Sequence, residues 1–192
     1  MGDGEAEPDD ADYQPDQAVR RRCRLSGGSG NRLATAPVGH GDGAGPAPSS
    51  HGPQEACVHG NPETIRRILT QSGDTWAVVG LSSNQRRAAY GVAALLQQYG
   101  KRIVPVHPKA ETVHGEQGYA SLADIPFPVD VVDVFVNSEQ AGAVADQAVA
   151  IGAKAVWFQL DVVDEAAFDR TREAGLDMVM DRCPAIELPR LA

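Results

Sequence analysis

Short apolar runs alternate with longer segments of helical periodicity over the last two thirds of the chain. The apolar runs are Thr75–Gly80, Arg102–Val106, Val129–Val136, Ala153–Leu160 and Leu176–Met180. Polar residues do not occupy every second position in them, which is typical of strands that are buried on both faces. The helical segments between them are Arg86–Tyr99, Glu139–Ile151 and Asp164–Ala174, with a short turn near 121–124. This alternation predicts an α/β fold of three layers, Rossmann-like, with a mostly parallel five-stranded sheet.

A further helix is predicted just before the first strand. Asn61 stands before Pro62 and Glu63, which is the order of an N-cap, a proline in the first turn and an early acidic residue. The helix is expected to run through about Thr70, with its apolar side chains on one face. The folded domain is therefore predicted to cover residues 60–192.

Residues 1–59 have a different composition from the rest of the chain. The first sixty residues hold 11 of the 20 glycines and six of the 13 prolines, but few aliphatic side chains. Such a segment does not bury enough apolar surface to offset the entropy cost of ordering, so we predict a disordered, low-complexity tail. The arginines at 20–22 and 24 allow an interaction site or a twin-arginine export signal, but no apolar segment follows them. A solvated tail, or a start assigned too far upstream, is the simpler interpretation.

Charge and cysteine usage narrow the class of protein. The formal net charge is −9, which disfavours nucleic acid as a partner because phosphate contacts need a dense basic surface. The sequence has neither a run of about 20 apolar residues nor the basic and apolar regions of a signal peptide, so we expect no membrane association and a cytoplasmic location. The three cysteines, Cys23, Cys57 and Cys183, lack the spacing of a metal site or a disulfide scaffold.

The loop after the first predicted strand has the composition of a phosphate site. In parallel sheets ligands bind beyond the carboxyl ends of the strands, where the strand order reverses. Gly80 allows a tight turn there, Ser82, Ser83 and Asn84 add short polar groups, and Arg86 adds a positive charge at the start of a helix. The alternative is an ordinary strand–helix connection that Ser and Asn cap.

The same loop departs from the dinucleotide fingerprint. That motif needs glycine at its first, third and sixth positions, where this chain has Gly80, Ser82 and Gln85. Gly91 lies further on, inside the predicted helix, where glycine costs about 1 kcal/mol relative to alanine. We therefore expect a close approach of that helix to a strand or to a ligand at Gly91.

The end of the second predicted strand is cationic. His107, Pro108 and Lys109 follow it, and the first carboxylate is Glu111. An NAD site needs an acidic residue at this place, whereas a cation suits a ribose with an additional phosphate, as in NADP or coenzyme A (CoA). Each side chain alone is also compatible with an ordinary surface loop.

Several stretches together resemble a known family, the small stand-alone CoA-binding proteins, whose domain is similar to the amino-terminal domain of the succinyl-CoA synthetase alpha subunit. The resemblance covers residues 61–191. The stretches that carry it are TWAVVGL (75–81), IVPVHPK (103–109), YASLADI (119–125), VDVVDVF (129–135), IGAKAVWFQL (151–160) and MDRCP (180–184).

The resemblance implies a CoA ligand and a role for each strand end. It implies that Gly80, Leu81, Ser82 and Ser83 meet the pyrophosphate, and that His107, Pro108 and Lys109 flank the 3′-phosphate of the adenosine. The pantetheine side would be lined by the ends of the third and fourth strands, namely Val136, Asn137 and Gln159–Asp161. The chain departs from many relatives in having Val136-Asn137 where they have arginine, and Asp161 where they have glycine.

Candidate catalytic residues are few. Cys183 follows the fifth strand, and the neighbouring Arg182 would lower the pKa of its thiol, although a packed cysteine is the more ordinary interpretation. Asp130 and Asp133 point to opposite sides of their strand and do not form an acid pair. We therefore predict a non-catalytic protein that binds CoA or an acyl-CoA as a sensor, a carrier or an accessory subunit. The alternatives left open are an NADP-dependent oxidoreductase, an acyl-CoA synthetase-type partner and a homo-oligomer.

Overall fold

The computed structural model describes residues 59–191. The strands are β1 (Thr75–Val79), β2 (Arg102–Val106), β3 (Val131–Val134), β4 (Ala155–Phe158) and β5 (Asp177–Val179). The helices are α1 (Pro62–Thr70), α2 (Ala88–Gln98), α3 (Ser138–Ala150), α4 (Glu165–Glu173) and α5 (Pro184–Glu187), with single 3₁₀ turns at Leu122–Asp124 and Leu188–Arg190. The prediction of a disordered tail over residues 1–59 lies outside the described residues, apart from His59.

The five strands form one parallel sheet in the order β2-β1-β3-β4-β5. The strand order reverses at β1, which lies between β2 and β3. The α/β fold with a five-stranded parallel sheet is thus confirmed. The crevice that such a reversal opens lies beyond the carboxyl ends of β1 and β3.

Helices cover both faces of the sheet. One buried cluster joins side chains of α1 and α2 to one face of the sheet and includes Trp76 and Trp157, whose ring centroids are 6.3 Å apart. The other cluster joins α3 and α4 to the opposite face, and Phe158 and Phe168 belong to it. Because both faces are covered, every residue of β3 and β4 is buried, which explains the lack of polar alternation in those strands.

Local signals set the ends of several elements. The Asn61 side chain caps α1 by accepting a hydrogen bond from the Thr64 N–H at 2.7 Å, as predicted. β3 is shorter than the predicted 129–136, because Asp130 binds the ends of other strands: its carboxylate accepts from the N–H groups of Asp74 and Thr75, both at 3.1 Å, and pairs with Lys154 at 2.7 Å. The sequence pattern did not predict α5, which has only four residues.

Candidate functional site at the carboxyl ends of β1 and β2

The loop between β1 and α2 extends further than predicted. The helix begins at Ala88, not near Arg86, so Arg86 and Arg87 both belong to the loop and both are exposed. Arg87 is the N-cap of α2, and no side chain caps this end of the helix. The first turn of α2 therefore keeps its partial positive charge toward the loop.

Gly80 and Leu81 shape this loop but do not offer their amides. The Gly80 N–H donates to the Val106 carbonyl at 2.8 Å, and the Leu81 N–H donates to the Val78 carbonyl at 3.4 Å. Gly80 has φ 94°, which favours glycine, and an added Cβ would lie 3.3 Å from the Cβ of Phe135. The Leu81 side chain is buried.

Two of the polar side chains in the loop stabilise its turn. The Asn84 Oδ1 accepts from the Arg86 N–H at 3.0 Å, and the Ser82 Oγ accepts from the Asn84 N–H at 3.5 Å. These are the local side-chain to backbone bonds that the alternative of a capped connection anticipated. Ser83 is different, because its polar groups face another segment of the chain.

The Ser83 groups bind the carboxylate of Glu111. The Ser83 N–H donates to the Glu111 Oε2 at 3.0 Å, and the Ser83 hydroxyl also hydrogen-bonds this carboxylate. Lys109 and His107 act electrostatically on the same group. An anion of the chain itself thus lies where the loop after β1 meets the residues that follow β2.

These neighbours make the Glu111 carboxylate a stronger acid than usual. The hydrogen bond from the Ser83 hydroxyl is the largest cause that lowers the pKa of Glu111, followed by the bond from the Ser83 N–H and then by Lys109 and His107. All four favour the ionised form of a carboxyl group. The site is therefore electrostatically suited to an anion.

The segment after β2 is anchored independently of Glu111. The His107 N–H donates to the Tyr119 carbonyl at 3.0 Å, and the buried Val113 pairs with Glu116 through two backbone hydrogen bonds. The His114 ring lies 4.0 Å from the Tyr90 ring of α2, measured between centroids, and its Nε2 lies 2.9 Å from the Tyr90 carbonyl oxygen. Residues 107–118 thus form a packed strap along α2.

The backbone of this strap is closely packed around the predicted 3′-phosphate residues. The Lys109 N–H donates to His107 Nδ1 at 3.2 Å, while the Lys109 and Pro108 residues are exposed and His107 is half-buried. A Cβ at Gly118 would lie only 2.1 Å from the Glu111 carbonyl oxygen. His107, Lys109 and Ser83 lie in one neighbourhood, because all three act on the Glu111 carboxylate.

Gly91 does not support a close approach of α2 to the sheet. It is exposed, and an added Cβ would meet nothing within 4 Å. The expected close packing of helix on strand is therefore wrong, because Gly91 lies on the outer face of α2. A contact between Gly91 and a ligand stays a prediction.

Replacing Gly91 by alanine is expected to stabilise the ligand-free protein. Alanine costs less entropy than glycine in a helix, so the free energy of unfolding should rise by about 0.5–1 kcal/mol. Urea denaturation followed by circular dichroism measures it. Gly142→Ala in α3 is the matched control and should destabilise, because a Cβ there would lie 2.5 Å from the Asp164 Oδ2. A loss of stability in Gly91→Ala would contradict the open surface described here.

The residues predicted for the pantetheine side have structural contacts of their own. Asn137 is the N-cap of α3, and its Oδ1 accepts from the Gln140 N–H at 3.0 Å. Val136 is half-buried against the core, and Gln159 is buried, with its side-chain amide donating to the Asp133 Oδ1 at 2.6 Å. Asp161 has φ 64°, a conformation that glycine adopts more easily.

Asp133 is a buried carboxyl in the middle of the sheet. It is fully buried in β3, and its Oδ2 has no hydrogen-bond partner among the described residues. Burial raises the pKa of Asp133 to about 7, although the bond from Gln159 opposes this shift. Asp133 therefore carries a proton in the folded protein at mildly acidic pH.

Cys183 does not have the lowered pKa that its arginine neighbour suggested. Burial raises the pKa of this thiol, and the charges of Asp133 and Glu187 act in the same direction. Arg182 is directed to Glu187, with 3.9 Å between the guanidinium and a carboxylate oxygen. The alternative of an activated thiolate is therefore disfavoured, and the more ordinary interpretation of Cys183 as a packed side chain agrees with the structure.

The site lies within a recognisable sequence domain. The profile of the CoA binding domain matches residues 74–189, which include both loops described above. The chain belongs to the CoA binding domain family. The resemblance on which the sequence analysis relied is thus confirmed.

Individual proteins of known sequence are also similar to this chain. The CoA binding domain protein is similar to the protein YneT of Bacillus subtilis, with 36% identity over 119 residues, or 62% of this chain and 87% of YneT. It is also 30% identical over 100 residues to the alpha subunit of an ADP-forming acetate–CoA ligase II of Pyrococcus furiosus. That match spans 52% of this chain but only 21% of the ligase subunit.

Solved structures share the fold. A protein from Pyrococcus horikoshii matches with 40% identity and a TM-score of 0.63, over 67% of this chain and 90% of the other. A protein from Thermus thermophilus matches with 33% identity and a TM-score of 0.64, over 69% of this chain and 99% of the other. Both matches show that these proteins have the same fold as this chain.

Two kinds of feature are absent from the described residues. No helix within residues 59–191 is long and apolar enough to cross a membrane. The same residues hold no group of three or more His, Cys, Asp or Glu side chains with the arrangement of a metal site.

Proposed function

We propose that this protein binds CoA or an acyl-CoA in the crevice formed by the β1–α2 loop and the strap after β2, without catalysis of its own. Gly80 and Leu81 would shape the loop around the pyrophosphate, while Ser82, Ser83 and Asn84 would present polar groups to it. Arg86 would add a positive charge.

The observation that supports this proposal most is that Ser83 binds the Glu111 carboxylate. Groups that a phosphate needs, namely a backbone N–H, a hydroxyl, a lysine and a histidine side chain, already surround an anion here. Membership in the CoA binding domain family indicates which anionic ligand to test first. His107, Pro108 and Lys109 would lie by the 3′-phosphate, and Gly91, Val136, Asn137 and Gln159 would border the rest of the ligand.

A binding role also fits the buried ionisable groups. Asp133 and Cys183 lie near the carboxyl ends of the strands, but burial favours the neutral form of each. A neutral thiol is a poor nucleophile. We therefore propose a sensor, carrier or accessory subunit, and similarity to a ligase alpha subunit makes a synthetase-type protein the first partner to test by co-purification. A homo-oligomer and a cytoplasmic location stay predictions.

Thermal melting with and without ligand tests the proposal. CoA that binds the folded chain should raise the melting temperature in a concentration-dependent manner. NADPH is the matched control, because it also carries adenosine, a pyrophosphate and an additional ribose phosphate. No shift at millimolar CoA together with a clear shift from NADPH would exclude the CoA site and favour an oxidoreductase.

A further inference from the structure

We propose that the Glu111 carboxylate is an internal ligand of the β1–α2 loop, which the phosphates of the bound ligand must displace. Glu111 would thereby set the apparent affinity of the site and disfavour weakly bound anions. This inference rests on the proposed function and adds its regulation.

The first step is that Glu111 and a phosphate oxygen compete for the same donors. The Ser83 N–H is 3.0 Å from the Glu111 Oε2, and the Ser83 hydroxyl binds the same carboxylate. An amide N–H in this geometry makes one strong hydrogen bond at a time. A phosphate that takes this bond must therefore release Glu111.

The second step is that five other amides of this loop already have partners. The Gly80 and Leu81 N–H groups donate to backbone carbonyls, and those of Asn84, Arg86 and Arg87 bond within the loop. The Ser83 amide instead donates to a side chain of the strap after β2. An anion that binds between the loop and the strap therefore meets Glu111 at this donor, in addition to the amides at the start of α2.

The third step is that release needs only a side-chain rotation. The strap is held by the buried Val113, by His114 against Tyr90, and by the Gln97 side-chain amide, which donates to the His114 carbonyl at 3.3 Å. None of these contacts involves the Glu111 side chain. Glu111 is half-exposed, so its carboxylate can regain water when it leaves Ser83.

The fourth step concerns the cations. Lys109 and His107 act electrostatically on Glu111, so both belong to the surroundings that an incoming phosphate would enter. While Glu111 is bound, it neutralises part of the positive charge of Lys109. Any anion that binds here must displace the Glu111 carboxylate. A ligand with several phosphate charges can do so more easily than a singly charged anion, because it interacts more strongly with the cationic surroundings.

Calorimetric titration of CoA into the full chain and three variants tests the inference. Glu111→Gln keeps an oxygen that can accept from the Ser83 N–H but loses the charge that strengthens this bond. It should therefore bind CoA more tightly, by up to about tenfold, because a closed fraction of about 90% in the native chain lowers the apparent affinity by that factor. Glu111→Asp keeps the charge but is one methylene shorter and should not reach Ser83. It should therefore also bind several-fold more tightly than the native chain.

Glu116→Gln is the matched control, since it removes a carboxylate from the same strap without altering a contact to Ser83. Its affinity for CoA should stay within about twofold of the native chain, as expected for a surface charge. In the ligand-free protein, the amide proton resonance of Ser83 should shift in Glu111→Gln and Glu111→Asp but not in Glu116→Gln.

The outcomes separate the inference from the proposed function. If the native chain binds CoA and Glu111→Gln binds it no more tightly, the internal ligand is refuted while the CoA site stands. If Glu111→Gln binds more tightly but Glu111→Asp equals the native chain, only long-range repulsion is acting, and occupancy of the loop is refuted. If no variant and no native protein binds CoA, the proposed function fails and this inference fails with it.

Discussion

Replacing Asp133 by asparagine should remove a large part of the pH dependence of stability between about pH 4 and pH 7. The carboxyl titrates near pH 3.8 when unfolded but near pH 7 when buried in β3. Between these values the folded chain holds a proton that the unfolded chain has released. The free energy of unfolding therefore falls as the pH rises through this window, by a total of about 4 kcal/mol from this group.

Above about pH 7 the carboxyl is ionised in both the folded and the unfolded chain, so its contribution to the free energy of unfolding no longer changes with pH. Asp133 should therefore stabilise the native chain least at neutral and alkaline pH. Asparagine has no such titration. It keeps an oxygen that accepts from Gln159, although its amide hydrogens need partners in a site where the Oδ2 of Asp133 has none. The pH slope is therefore the decisive quantity, not the absolute stability.

Urea denaturation of both proteins at several pH values between 4 and 8 measures this slope. The difference in unfolding free energy between Asp133→Asn and the native chain should change in favour of the variant as the pH rises. Asp146→Asn is a matched control, because the Asp146 side chain is 57% exposed and pairs with Arg170 at the surface; it should leave the slope almost unchanged. Parallel curves for the native chain and Asp133→Asn would contradict the raised pKa.

Replacing Lys109 by alanine should weaken CoA binding selectively. If its ammonium group meets the 3′-phosphate, the loss is about 1.5–3 kcal/mol, or roughly 10- to 150-fold in the dissociation constant. Dephospho-CoA lacks this phosphate, so its affinity should hardly change. Titration of both ligands into both proteins gives the four values of this cycle.

Two further variants serve as controls for the effect of Lys109→Ala. Arg86→Ala should weaken CoA and dephospho-CoA alike, because both carry the pyrophosphate. Lys154→Ala removes a lysine that pairs with Asp130 at the opposite end of the strands, and it should affect neither ligand. Equal losses for CoA and dephospho-CoA in Lys109→Ala would refute its assignment to the 3′-phosphate.

The fold was predictable because its signals are local and regular. Buried runs such as Thr75–Val79 and a cap such as Asn61 depend on neighbours in sequence, and the structure follows them closely. Errors occur where long-range contacts override the local pattern. β3 is shorter than its apolar run because Asp130 caps other strands, and α5 is too short to show helical periodicity.

The sequence predicts where a candidate site lies in this fold, but it does not predict the internal contacts of that region. Loops at the carboxyl ends of parallel strands lie at the same edge of the sheet, so the loop after the first strand and the residues after the second were both expected to border the ligand. The role of Glu111 depends on the irregular strap after β2, which a backbone contact at Gly118 and a ring contact at His114 hold in place. No periodic pattern encodes such contacts. The carboxylate inside the apolar run of β3, Asp133, was visible in the sequence, but its burial depended on the helices that cover the sheet.

Calorimetric titration of CoA into the full chain is the most direct test of the proposed function. Saturable binding of one CoA per chain, with weaker binding of dephospho-CoA and none of NADPH at the same concentration, is the predicted result. A folded protein that gives no saturable heat with millimolar CoA would contradict the proposed CoA site. If that protein bound NADPH saturably, the alternative of an NADP-dependent oxidoreductase would be favoured.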